Sequence, residues 1–308
     1  MKRRNFIRTA STTTAALISP LAGFSSIIPQ EKMNSNFQLK MLATNWGFNG
    51  SIEEYCTQVK REGYDGIEIW WPGEKEKQAE LFDALKKHSL EVGFLSAGNS
   101  SNFKTHLDDF KKMTEAAVYN NVQKPLYINC HSGKDYFSYE ENKAIINYTL
   151  FLAKQSGVNI YHETHRSRML YAAPVAKIFF ETIPALRITF DVSHWCNVSE
   201  SLLEDQADTL QLAIQHTDHI HARIGHAQGP QVNDPRAPEW QAAANAHFSW
   251  WDKIVAQKKQ SGQVLTVLTE FGPADYMPSL PYTKQPVANQ WDINVYMMQL
   301  FKKRYLNV

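Results

Sequence analysis

The chain has 308 residues, is 43% hydrophobic and carries a formal net charge of +1. That balance excludes a global polyanion-binding surface, and the length, generous for one average domain, is ordinary for an α/β barrel of about 250 residues. After the N-terminus no apolar run approaches the roughly 18 residues of a membrane span.

Residues 1–30 differ in kind from the rest. Lys2, Arg3, Arg4 and Arg8 precede a weakly apolar stretch from Ala15 to Ile28, and no acid occurs before Glu31. A basic start followed by an apolar middle describes an export signal, here of twin-arginine type. The protein is therefore expected in the periplasm or otherwise exported, with cleavage between Ala22 and Gln30 and no stable membrane anchor afterwards. Loss of those four positive charges leaves the mature chain net negative, so nucleic acid is not an expected partner.

From residue 38 to 305 short β-branched or aromatic runs alternate with stretches of helical spacing. Strands are predicted at Leu39–Thr44, Gly66–Trp70, Glu91–Ser96, Pro125–Cys130, Asn159–His162, Arg187–Phe190, His219–Ile224 and Val264–Thr269. Between them helices are predicted at Ser51–Glu62, Glu76–His88, His106–Tyr119, Tyr139–Gln155, Ala173–Thr182, Leu202–His216 and Phe248–Lys259. Ser51 and Glu54 have the spacing of a capping box. Eight strands alternating with helices predict a single (β/α)8 TIM barrel of class α/β. An open doubly wound sheet is the alternative, weakened because no Gly-rich phosphate loop follows the first strand. Gly225–His247 and Gly272–Asn289, rich in Gly and Pro, read as long loops after strands seven and eight, where barrel enzymes place their sites.

Four neighbouring strands each end on a side chain able to bind a metal: Glu163 in Tyr-His-Glu-Thr-His, Asp191 in Phe-Asp-Val-Ser-His, His221 in His-Ile-His-Ala-Arg, and Glu270 in Thr-Glu-Phe-Gly-Pro. Strand ends converge on one mouth of a barrel, and this oxygen and imidazole set suits one divalent ion, Mn2+, Mg2+, Co2+ or Zn2+. Either His219 or His221 could supply the imidazole. His221, nearer the strand end, is the choice, leaving His219 as a core or helix-facing residue. His162-Glu163-Thr164-His165 is one residue short of a zincin motif and sits on a strand, so that reading is rejected.

His131, His194 and Arg223 are expected to line the same cavity, where they could hydrogen-bond a polyol and stabilise an oxyanion. Trp46 and Trp70, with Trp71, follow strands one and two and offer ring faces to a sugar, or else fill core. Glu68 reads either as an interior partner of Arg223 or as a site residue. Cys56, Cys130 and Cys196 form no metal-type spacing and read as buried thiols, a Cys130–Cys196 bridge being the alternative.

These stretches, together with Gly-Tyr-Asp-Gly-Ile-Glu-Ile at 63–69, resemble the sugar phosphate isomerase/epimerase family of the xylose-isomerase-like TIM barrels. The resemblance implies that Glu163, Asp191, His221 and Glu270 bind the metal and that His194 and Arg223 contact substrate oxygens. The segment 222–240 departs from the ketose epimerases of that family, so the metal site carries over but the reaction does not. The expected chemistry is isomerisation or epimerisation of a free or keto sugar by proton transfer through an enediolate, with Glu163 and Glu270 as base and acid. A sugar lyase or dehydratase on the same site, and a non-catalytic sugar-binding barrel, are the alternatives. The expected partner is a small carbohydrate, and a homo-oligomer is left open.

Overall fold

The computed structural model describes residues 36–306, so the segment expected to be an export signal lies outside the described residues. Eight parallel strands close into one barrel in chain order: β1 (Gln38–Thr44), β2 (Gly66–Trp70), β3 (Glu91–Ser96), β4 (Ile128–Cys130), β5 (Ile160–Glu163), β6 (Ile188–Phe190), β7 (Thr217–His221) and β8 (Val264–Thr269). Closure is made by β8 pairing with β1 from Gln38↔Val264 to Ala43↔Thr269. Around the barrel run α1 (Ile52–Glu62), α2 (Lys75–His88), α3 (Phe103–Val118), α4 (Tyr139–Ser156), α5 (Ala173–Thr182), α6 (Val192–Val198), α7 (Ala207–His216), α8 (Gln241–Ser261) and α9 (Gln290–Tyr305). No helix among the described residues is long and apolar enough to cross a membrane.

Local sequence explains the helix ends. Ser51 caps α1 by accepting the Glu54 N–H at 3.2 Å, while the Glu54 carboxylate accepts the Ser51 N–H at 2.8 Å. Ser138 and Glu141 repeat this box on α4.

Strand alternation divides the apolar residues between two cores. Val92, Phe94, Ile128, Ile188, Phe190, Ile220 and Val267 belong to the large cluster between barrel and helices. Leu42, Tyr127, Tyr161 and Leu268 form a small separate cluster. These four share the inward parity of their strands with Thr44, Asn129, Glu163 and Glu270, so they fill the barrel below the mouth. Gly93 makes room for this floor, because a Cβ there would stand 2.4 Å from the Tyr127 ring.

Several boundaries differ from expectation. β4 begins at Ile128 rather than Pro125, and β7 stops at His221 because the Arg223 N–H turns back to the His221 carbonyl at 3.0 Å. Three helical features were missed: α6, the early start of α8 at Gln241, and α9. Asn289 caps α9 by accepting the Trp291 and Asp292 N–H groups at 2.9 and 3.2 Å. The thiols of Cys56, Cys130 and Cys196 are all buried and free, so the Cys130–Cys196 bridge is not formed.

Candidate active site

Glu163, Asp191, His221 and Glu270, from the C-terminal ends of β5 to β8, each bring one donor atom to a common point, all within 4.8 Å of one another. All four residues are buried. His221 Nδ1 lies 2.9 Å from Glu270 Oε2 and 3.6 Å from Glu163 Oε2. Its other nitrogen, Nε2, lies 3.2 Å from Glu68 Oε1. Glu68 is thus no partner of Arg223: it sits one layer deeper, with its second oxygen 3.3 Å from His219 Nε2.

Of the two expectations for His219, core or helix-facing, the structure has the first. Residues two apart on a strand share a face, so His219 and His221 both point inward in successive layers. The His219 ring packs on Tyr127, tilted, at 4.2 Å, and its Nδ1 lies 2.8 Å from Thr266 Oγ1. The residue facing the helices is His162, whose Nε2 lies 2.8 Å from Thr149 Oγ1 on α4.

Asp191 is held from both sides. One oxygen accepts from the Ser193 N–H at 3.0 Å and from the Ser193 hydroxyl. The other accepts from the Arg223 guanidinium, which also lies 3.4 Å from Glu270 Oε2. By accepting the Ser193 N–H, Asp191 also starts α6, so one side chain shapes the loop and joins the cluster.

Electrostatics within the cluster favour positive charge. Burial alone would depress the His221 ring, but Glu270, Glu163 and Glu68 together raise it well above the usual imidazole range. Burial works to raise Glu163, yet His131 and His221 outweigh it and hold that carboxyl well below the usual range. Burial raises Asp191, Arg223 pulls it back, and Glu270 and Glu163 push again, leaving it at about 6. Glu163 Oε1 is buried without a hydrogen-bond partner, while His221 Nδ1 and Glu270 Oε2 face each other, with Arg223 beside the latter. A buried polar atom is seldom left without a partner, and a divalent cation is the partner these donors fit.

Above the cluster opens a cavity of about 450 Å³. Trp46, Trp70, His131, Arg223 and Glu270 line it as expected. Trp46 is 37% and Trp70 44% exposed, so both present ring surface to it, whereas Trp71 is core. The His131 ring contacts the Glu163 carboxylate and meets Trp70 edge-on at 5.4 Å. His194 does not line the cavity. It is fully buried behind Asp191, accepting from Arg223 at 2.9 Å and packing on His165 at 3.9 Å.

The cavity wall also contains Thr44, Asn45, Leu95, His165 and Tyr276, which the sequence does not single out; His165 and Tyr276 stand nearest the charged groups. His165 shares inward parity with Glu163, a signal available from the strand pattern. Tyr276 comes from the long loop after β8, where no periodicity announces a direction. Its ring lies edge-on to Trp46 at 4.9 Å and has Arg166 and Arg223 over it at 5.0 and 4.8 Å.

No protein-family model matches the chain, and no curated protein does. Solved structures do match. The 3-keto-D-glucoside 4-epimerase YcjR of E. coli is 15% identical, with 86% of this chain and 100% of that one covered at a TM-score of 0.57. The IOLI protein, with a zinc atom bound, is 14% identical, with 86% and 99% covered at 0.59. The probable 3-DHS dehydratase AsbF of Bacillus anthracis is 19% identical, with 87% and 100% covered at 0.53. The barrel expected from the strand-end motifs is borne out: this chain shares its fold with these structures.

Proposed function

We propose that this protein is a divalent-metal-dependent enzyme that moves a proton beside the carbonyl of a free or keto sugar, as an isomerase or epimerase. The observation that carries the reading is the convergence of Glu163, Asp191, His221 and Glu270, all buried, each with one donor atom at a common point. Fold likeness to an epimerase, to a dehydratase and to a zinc-binding protein is in keeping with it.

The four side chains would hold the ion, and the chemistry it supplies when bound is Lewis-acid polarisation of a carbonyl. Glu163 and Glu270 do the proton work. The first removes the proton on carbon through a free carboxylate oxygen, and the second returns one, on the opposite face for epimerisation or at the neighbouring carbon for isomerisation. Glu163 is suited to the base, because His131 and His221 keep it ionised. Arg223, which reaches both Asp191 and Glu270 and lines the cavity, is placed to stabilise the developing enediolate oxygen. His194 acts behind it, fixing the guanidinium rather than touching substrate. Trp46, Trp70 and Tyr276 cover the cavity and limit water.

Sugar phosphates are chiefly cytoplasmic, so the twin-arginine-like signal supports a free or keto sugar outside the cytoplasm. The fold likeness to a dehydratase favours one second reading, β-elimination, which begins with the same proton abstraction. The test is incubation of metal-loaded protein with free, keto- and phosphorylated sugars in D2O. Deuterium at carbon in a recovered or rearranged sugar supports the reading, and an unsaturated product assigns the lyase. No exchange with any sugar contradicts both.

A further inference from the structure

A second cavity of about 450 Å³ lies beside the first, between the β1–α1 and β2–α2 loops. The chemistry proposed above does not use it. Asn45 and Trp70 line both cavities, so the two adjoin at this pair.

The second cavity is built differently from the reacting one. Phe48, Ile52 and Leu81 give it an apolar wall, and Lys77 stands among its lining residues on the exposed first turn of α2. Phe48 is fixed against Tyr55 at 5.1 Å, and the β2–α2 loop is braced by Gln78 donating to the Pro72 carbonyl at 2.7 Å. Among the described residues the Asn45 side-chain amide makes no hydrogen bond to protein; only its backbone carbonyl does, accepting from Phe48. A free amide beside a 44%-exposed indole provides hydrogen bonding and a flat apolar face together at the junction. Each volume falls within the range of small-molecule sites, roughly 300–1,000 Å³, so the pair is more than a lone hexose needs.

We infer that the second cavity is a subsite for the ring joined glycosidically to the reacting sugar, which makes the substrate a two-ring keto-glycoside rather than a monosaccharide. This rests on the sugar chemistry proposed above. The keto ring lies over Glu163 and Glu270, the glycosidic bond passes Asn45 and Trp70, and the second ring packs on Phe48 and Ile52.

The test is calorimetric titration of Mn2+-loaded, full-length protein with methyl, phenyl and glucosyl 3-keto-β-D-glucosides. The two-ring probes bind about tenfold more tightly than the methyl probe, as burial of one more ring face predicts. The phenyl and glucosyl arms tell an aromatic second ring from a sugar. Ile52→Trp fills the cavity and brings the two-ring probes down to the affinity of the methyl probe. Lys77→Trp, on an exposed turn, repeats the measurement should the first variant not fold. Equal affinity of all three probes for the wild type, or undiminished two-ring affinity in the filled variants, overturns the subsite alone. Failure of every probe to bind overturns the keto-glycoside reading and the subsite with it.

Discussion

His221 stands between two sets of carboxylates, with Nε2 3.2 Å from Glu68 Oε1 and Nδ1 2.9 Å from Glu270 Oε2. This separation suits Nε2–H donating to Glu68, which leaves the Nδ1 lone pair directed at the cluster. Glu68→Gln removes the charge that fixes this tautomer. It is expected to weaken Mn2+ or Co2+ binding by roughly 10- to 100-fold, as is common for partners of ligating histidines. Calorimetric titration checks this, and an unchanged affinity would show that His221 is oriented by other contacts.

Glu163→Gln and Glu270→Gln separate proton transfer from cation binding. Each is expected to lower solvent-deuterium exchange into substrate by roughly 10²- to 10⁴-fold. Mass spectrometry of the recovered sugar checks it. Exchange at the wild-type rate in both variants, with cation still bound, removes the two carboxylates from the mechanism.

Arg223 is 1% exposed and its guanidinium reaches Asp191, Glu270 and His194. Arg223→Met leaves Asp191 buried without its cation. The cost in metal-free protein is expected to be roughly 3–5 kcal/mol, read from denaturant unfolding, because a lone buried charge loses its compensation. A loss below 1 kcal/mol would mean that the Ser193 donors alone satisfy Asp191.

On the opposite, N-terminal side of β7, Asp218 lies between Arg187, at 2.6 Å, and the buried Lys258. Burial works to raise its carboxyl, but Arg187 and Lys258 outweigh this and hold it below its ordinary 3.8. A carboxyl depressed by folding stabilises the fold at pH above its unfolded value, and this stabilisation is lost as pH falls through the folded value. Asp218→Asn is therefore expected to be less stable at neutral pH and to lose less stability on acidification below pH 4. Unfolding midpoints across pH 2–7 check it; parallel curves for the two proteins contradict it.

The barrel and its rim of candidate donors were legible because both follow from period two. Glu163, Asp191, His221 and Glu270 each close an apolar run, and strand ends in a closed parallel barrel share one rim. What escaped reading depended on distance in sequence. Glu68 could not be assigned because its partners, His219 and His221, lie on the far wall. Spacing from Asp191 puts His194 in the cavity, but α6 begins at once after Asp191 and buries it behind that residue. Tyr276 lies in a loop whose course is set by contacts with Trp46 and the two arginines, none of them local.

The account depends most on one cation gathered by β5 to β8. Elemental analysis of dialysed protein after incubation with Mn2+, Co2+ or Zn2+ measures it directly, in wild type and in His221→Ala. One equivalent of ion per chain in the wild type, with loss in the variant, is the predicted result. A wild type that retains no ion, or a variant that keeps a full equivalent, would contradict it.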